Sequence, residues 1–254
     1  MSNTNFNKDI YEMDGVYGDA DKFAPNANRL QHMLAFITKL EKTPREILDI
    51  GCGTGHLANE IKKIYPNANI TGIDISKKAI AIGKKAYKQI TLLQGDAEKN
   101  LPFASACFDL VISGEHIEHL QDPDTYLSEI NRILKKDGIL LLTTPNLGYW
   151  VSRILLLFGR QPYYLEPSLR KTLPIVSFGK KSFPENLDIL PSGHLRLYTF
   201  DMLKKLLNAY GFTTLDAKGS YMLKNFPFKQ LDHFFANFPS LSFGLILKVK
   251  KNYE

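Results

Sequence analysis

The sequence has no long apolar run. Its longest purely apolar stretch, Ile154 to Phe158, is far below the roughly 20 residues needed to cross a bilayer as a helix. Cysteine is scarce too: Cys52 and Cys107 stand alone, with no Cys-x-x-Cys pair, which excludes a disulfide scaffold or a thiolate zinc module. Both are expected as reduced thiols, as in a cytoplasmic protein. No dense Lys/Arg block occurs. The net charge of +6 over 254 residues reads as a solvated basic surface, and no DNA partner is expected. Met1 to Asn5 is polar, without the charged-then-apolar profile of a leader. Internal repeats and low-complexity tracts are missing as well. The remaining composition, 44% hydrophobic and 23% charged, is that of a globular protein able to bury a sizeable core as a single domain over 1–254.

What is present centres on Glu46-Ile47-Leu48-Asp49-Ile50-Gly51-Cys52-Gly53-Thr54-Gly55-His56-Leu57. It reads as a short apolar strand, a turn with three glycines and the first turn of a helix. Alternate glycines remove the Cβ atoms that would hold a ligand off the backbone, and they permit positive φ. Such a strand–loop–helix presents backbone to a nucleotide-like ligand. The dinucleotide fingerprint would place its third glycine at position 56, which is His56, so a pyrophosphate-binding dehydrogenase is disfavoured. Asp49 puts a carboxylate beside the loop, which repels phosphate and attracts a cation.

Leu48-Asp49-Ile50-Gly51-Cys52-Gly53-Thr54-Gly55 resembles the first motif of class I S-adenosylmethionine-dependent methyltransferases, with Asp49 suited to the ligand's ammonium group. The likeness covers roughly 45–145 and 194–218. It implies a doubly wound, Rossmann-like α/β fold: a seven-stranded sheet in the order 3-2-1-4-5-7-6, the last strand antiparallel, with helices on both faces.

Along the chain, an irregular arm over 1–25 precedes an amphipathic helix from Asn26 to Lys42, its apolar stripe Leu30, Met33, Leu34, Ile37 and Leu40 at helical spacing. Residues 1–44 thus form an N-terminal arm and helix. Asn69–Ser76 is a second strand, with Ser76 able to cap the helix Lys77–Lys88. Asp74 falls 23 residues after Gly51, where an acidic residue meets a ribose in nucleotide-binding units, and it could equally be a helix cap. Ile90–Gln94 is a third strand and Phe108–Ser113 a fourth. A helix opens at Asp122-Pro123 and closes near Lys135, Lys136 and Gly138; a fifth strand runs over Ile139–Thr144. Residues 146–195 break the alternation and read as a lid insertion opening with a short apolar helix over Tyr149–Phe158. Thr199 caps a further helix, Phe212–Lys218 and Phe243–Lys250 pair antiparallel, and the aromatic segment 219–242 completes a pocket wall.

The resemblance implies that Asp49, Gly51, Cys52, Gly53, Asp74, Ile75, Asp96, Ala97 and Ser113 contact S-adenosylmethionine. In the family the acidic residue after the third strand takes the adenine amino group and the next backbone amide meets the ring; Asp96 and Ala97 match. The implied reaction is an in-line displacement at a sulfonium methyl, with His116 or His194 as the base for an oxygen acceptor. Glu115-x-x-Glu118-His119 is similar to a metal-holding pattern of ubiquinone-pathway and small-RNA 2′-O-methyltransferases. Related Glu-His sequences occur without metal, and no metal is assigned. Trp150 to Tyr164 and Gly193 to Tyr198 resemble, less specifically, bacterial methyltransferases of surface-glycan or lipid-linked sugar synthesis, which implies a glycan, a lipid-linked sugar or a small, partly apolar metabolite as acceptor. Tyr149 to Phe158 could equally bury itself on the core, face the substrate or touch a membrane surface peripherally. RNA methylation and a silent cofactor-binding scaffold are the alternatives.

Overall fold

Seven strands hydrogen-bond in the order β3-β2-β1-β4-β5-β7-β6 in the computed structural model, which describes residues 27–169, 171, 176–177, 180–181, 192–223 and 227–252. The strands are β1 (Glu46–Ile50), β2 (Asn69–Asp74), β3 (Thr91–Gln94), β4 (Phe108–Gly114), β5 (Leu134–Pro145), β6 (Phe212–Ser220) and β7 (Gly244–Lys251). The first five are mutually parallel, and β7 runs antiparallel between β5 and β6. This is the expected order and the expected reversed last strand. A two-residue ladder, Val176–Ser177 with Lys180–Lys181, stands outside the sheet.

Helices cover both faces because the central strands are apolar on both. In β4, Leu110 and Ile112 join one core with Met33, Phe36 and Ile37 of α1 (Ala27–Ile37) and Leu57, Ala58 and Ile61 of α2 (His56–Ile64). Val111, between them, faces the opposite core with Tyr126, Leu127, Ile130 and Ile133 of α4 (Pro123–Ile133) and Leu203 and Leu207 of α6 (Phe200–Ala209). Period-two alternation thus feeds two cores from one strand. Helix starts follow local chemistry. The Ser76 hydroxyl accepts from the Ala79 amide at 3.1 Å to open α3 (Lys77–Ala86). Asp122 caps α4 with Pro123 at its first position, and Thr199 caps α6.

Two boundaries depart furthest from the sequence reading. Helix α1 stops at Ile37 rather than Lys42, since beyond it only Leu40 continues the apolar stripe. Strand β5 starts at Leu134, not Ile139. Lys135, read as a helix end, is instead extended and reaches Asp109 of β4 at 2.8 Å. The β4–β5 register shifts between Phe108, opposite Leu134, and Leu110, opposite Ile139, and Asp137 between those partners has a φ of +63°. The anticipated arm over 1–25 lies outside the described residues, as do Phe178 and Phe183 of the insertion. Within 219–242 the chain forms a helix that the sequence reading did not separate, α7 (Phe228–Ala236). It packs on α5 (Trp150–Leu157) through Trp150 and Phe235, whose rings lie 5.3 Å apart.

Candidate active site

The β1–α2 loop turns through Gly51, Gly53 and Gly55, with φ of +71°, +54° and +83°, a conformation that side chains with a Cβ resist. The Gly51 and Cys52 amides both donate to the Ile73 carbonyl, at 2.9 and 3.2 Å, which stitches the loop to β2. Asp74 braces it further. Its Oδ2 accepts from the Gly53 amide at 2.8 Å and its Oδ1 from the Ser76 amide at 2.9 Å.

Beneath the loop, Asp49 is 2% exposed, and its Oδ2 has no hydrogen-bond partner. Burial, and secondly the charge of Asp74, push its carboxyl up to about 8, opposed by the Ala58 amide. A buried carboxyl with an open oxygen is relieved by a cation or a strong donor. The same burial pushes the Cys52 thiol well up, so this cysteine is an inert part of the loop.

Gly51, Asp74, Ile75, Asp96, Ala97 and His116 line one crevice at the carboxyl ends of β1, β2 and β4, where open α/β sheets carry their ligands. The other expected cofactor residues, Asp49, Cys52, Gly53 and Ser113, do not line it. Cys52 turns its sulfur toward Gly72, where an added Cβ would lie 2.8 Å from it. Ser113 is fully buried and accepts a hydrogen bond from the Tyr126 hydroxyl. Asp96 accepts from the Glu98 amide at 3.0 Å and sits 3.4 Å from the Lys99 ammonium. The crevice holds only about 30 Å³ of free space, because the His116 ring lies against Gly51: a Cβ there would be 2.5 Å from His116 Nδ1. A nucleoside entering this crevice would meet the His116 ring. Burial lowers the His116 imidazole to about 4, with Asp96 opposing, and its Nε2 has no partner.

The second expected histidine belongs to a different cluster. The Leu195 and Arg196 amides donate to the Glu118 carbonyl at 2.8 and 3.1 Å, which docks the insertion's exit on the short helix Ile117–His119. His194 then stands 4.9 Å ring to ring from His119. Glu166 holds this turn by accepting from the Ser192, Gly193 and His194 amides. His194 Nδ1 faces the Tyr164 carbonyl at 3.2 Å and His119 Nδ1 faces the Gly193 carbonyl at 3.2 Å. A carbonyl only accepts, so each Nδ1 carries the proton, and His119 Nε2 lies 3.9 Å from Glu118 Oε1. Burial lowers both imidazoles, His119 to about 3.

Glu118, His119 and His194 can each offer one ligand atom within 4.8 Å of the others. Glu118 is fully buried, its Oε1 has no hydrogen-bond partner, and burial and then Glu115 push its carboxyl well up. Glu115, the first residue of the Glu-x-x-Glu-His pattern, is directed elsewhere. It pairs with Arg29 of α1 at 2.9 Å and accepts from the Thr143 hydroxyl at 3.0 Å, on a backbone with φ of +52°. Arg29 and Glu166 carried no signal in the sequence; only the packing of α1 and the insertion brings them here. A larger groove, about 450 Å³, lies away from this crevice beside Asp109, Lys135 and Lys250. It borders the starts of the parallel strands, and Lys135–Asp109 and Lys250–Asp137 pair across it at 2.8 and 2.6 Å.

Residues 48–142 match the methyltransferase domain family. Over that stretch the chain is similar to a methyltransferase domain, and this family and fold use S-adenosylmethionine as methyl donor. Among relatives, a demethylmenaquinone methyltransferase of Chlorobaculum parvum is 28% identical over 76% of this chain and 82% of its own length. A malonyl-[acyl-carrier protein] O-methyltransferase of Halalkalibacterium halodurans is 33% identical over 55% of this chain; the chain spans about half, 52%, of that relative. The fold matches the crystal structure of an S-adenosylmethionine-dependent methyltransferase from Thermotoga maritima, with a TM-score of 0.57 and 20% identity over 89% of this chain and 88% of that one.

Proposed function

We propose that this chain methylates an oxygen of a partly apolar acceptor (a glycan, a lipid-linked sugar or a small metabolite) by direct in-line transfer. The observation that carries the reading is Asp49: a buried carboxyl with an open oxygen under a three-glycine loop, a site for a cationic ligand rather than a phosphate. S-adenosylmethionine, when bound, supplies an electrophilic methyl on sulfur. The protein's tasks are to bind, orient and deprotonate. Asp49 balances the ligand's positive charge, Asp74 accepts from its ribose hydroxyls, and Asp96 with the Ala97 amide meets its adenine. Gly51 and Gly53 allow close approach.

Of the two histidines considered as base, His194 is favoured. Its tautomer leaves Nε2 as acceptor, and Glu166 opposes the lowering of its imidazole. His116, held near 4 by burial, is a poor proton acceptor and serves as a wall of the crevice. Positioning acceptor and methyl about 3 Å apart accounts for several kcal/mol of the barrier. Relatives named for a malonyl-carrier and for a quinone acceptor favour a small molecule over RNA. The buried carboxyl speaks against a silent scaffold.

A second reading, a divalent cation held by Glu118, His119 and His194, is favoured by the open, buried Glu118 Oε1. Hard oxygen and imidazole donors suit such an ion. The test of function is label transfer from methyl-labelled S-adenosylmethionine to quinol, glycolipid and RNA acceptors. Label in the lipid or small-molecule extract supports the proposal; label in RNA alone overturns it.

A further inference from the structure

Helices α5 and α7 are tied together from within and apolar without. Asp232 of α7, 1% exposed, accepts from the Tyr149 hydroxyl and the Trp150 indole N–H at 2.9 Å each, and from the Met222 and Leu223 amides at 2.8 Å. This fixes which side of each helix faces the core. Leu156, Leu157 and Phe158 at the end of α5 are consequently 53%, 80% and 71% exposed. On α7, Phe228, Leu231 and Phe234 fall at i, i+3 and i+6, one helical stripe, and this stripe is the exposed one; Phe238 extends it. A single exposed leucine requires no explanation, but seven large apolar side chains on two joined helices do.

The charge around them is one-sided. Across 148–165 and 227–243 the only acidic residue is Asp232, which is buried, whereas Arg160 and Lys229 are exposed. Amphipathic helices with outward Leu and Phe rimmed by cations lie in the interface of anionic bilayers. Among the described residues no helix is long and apolar enough to cross a membrane, so the contact would be peripheral.

We propose that the α5–α7 face docks on an anionic lipid surface, with Leu157 and Phe158 inserting below the headgroups and Arg160 and Lys229 meeting them. This inference stands apart from the acceptor reading, because vesicle binding is measured without methyl transfer.

The test is sedimentation of the full chain with phosphatidylcholine vesicles and with mixed phosphatidylcholine–phosphatidylglycerol vesicles. Wild type is expected to co-sediment with the mixed vesicles, less at raised salt. Leu157→Ser with Phe158→Ser should weaken that partition about tenfold or more, leaving melting temperature and S-adenosylmethionine affinity unchanged, since both side chains project into solvent. Phe234→Ser alone should weaken it by a smaller factor. Wild type remaining in solution with mixed vesicles, or partition unaltered in the double variant, overturns the proposal. A wild-type dimer that the double variant dissociates, without vesicle binding, overturns it in favour of self-association.

Discussion

Replacing Asp49 with asparagine should stabilise the empty protein while weakening its ligand, an unusual pairing for a core substitution. The carboxyl is pushed to about 8 by burial and by Asp74, so the empty fold favours the protonated acid. Its contribution to stability is fully present below the ordinary value of 3.8 and is lost as pH rises through about 8. Above that, the ionised carboxylate costs the fold on the order of 2–5 kcal/mol. Asparagine is close in shape and carries no charge. At about pH 9 a gain of about 2 kcal/mol would raise the melting temperature by roughly 4–8 °C for a domain of this size. Toward about pH 4 the gain should vanish, since wild-type Asp49 is then neutral in the fold. Cofactor binding should move the other way. In wild type, affinity for S-adenosylmethionine should climb between about pH 6 and pH 8 by up to a decade per unit, as binding expels the proton, and level off above. Asp49→Asn should flatten that slope and cost about tenfold or more in affinity at about pH 8. Thermal melts and calorimetry across pH read both. A lower melting temperature in the variant at high pH, or an unchanged pH slope of binding, would refute the reasoning.

Asp74→Ala strips the acceptor from the Gly53 and Ser76 amides and should lower stability by about 1–3 kcal/mol and S-adenosylmethionine affinity strongly; unaltered affinity by calorimetry would discredit the ribose assignment. Gly51→Ala puts a Cβ 2.5 Å from His116 Nδ1 at a φ of +71°, and should cost about 1–3 kcal/mol in denaturant melts; a neutral result would mean that ring and loop yield freely. His194→Ala should depress turnover by about a hundredfold or more with little change in cofactor affinity, whereas His116→Ala should mainly change affinity; the opposite split in steady-state kinetics would exchange their roles. Chelation should leave turnover intact, and a loss restored by Mg²⁺ would establish the cation reading at Glu118, His119 and His194.

The motif around Gly51 was legible because its signals are local. An apolar run sets β1, three glycines set the turn, and Asp49 and Asp74 fall at fixed steps along strands. Caps at Ser76, Asp122 and Thr199 were readable for the same reason. Features that depend on distant chain were not. Lys135 and Lys136 have the composition of a helix end, and pairing of Lys135 with Asp109 makes that segment extended instead. Ser113 stands at a strand end, as a cofactor contact would, but Tyr126 of α4 bonds its hydroxyl. The meeting of His194 with Glu118 and His119 is set by two amides donating to the Glu118 carbonyl across about 75 residues, which no spacing rule encodes. Helix α7 was recoverable: Phe228, Leu231 and Phe234 follow a helical period, obscured by the density of aromatics around them.

The central claim is that a carboxylate-lined crevice at the end of β1 takes a cationic adenosyl ligand. Calorimetric titration of the full chain with S-adenosylmethionine tests it most directly. Single-site binding in the micromolar range, lost in Asp74→Ala and pH-dependent through Asp49, is the predicted outcome. No binding heat at any pH, or binding by Asp74→Ala equal to that of wild type, would contradict it.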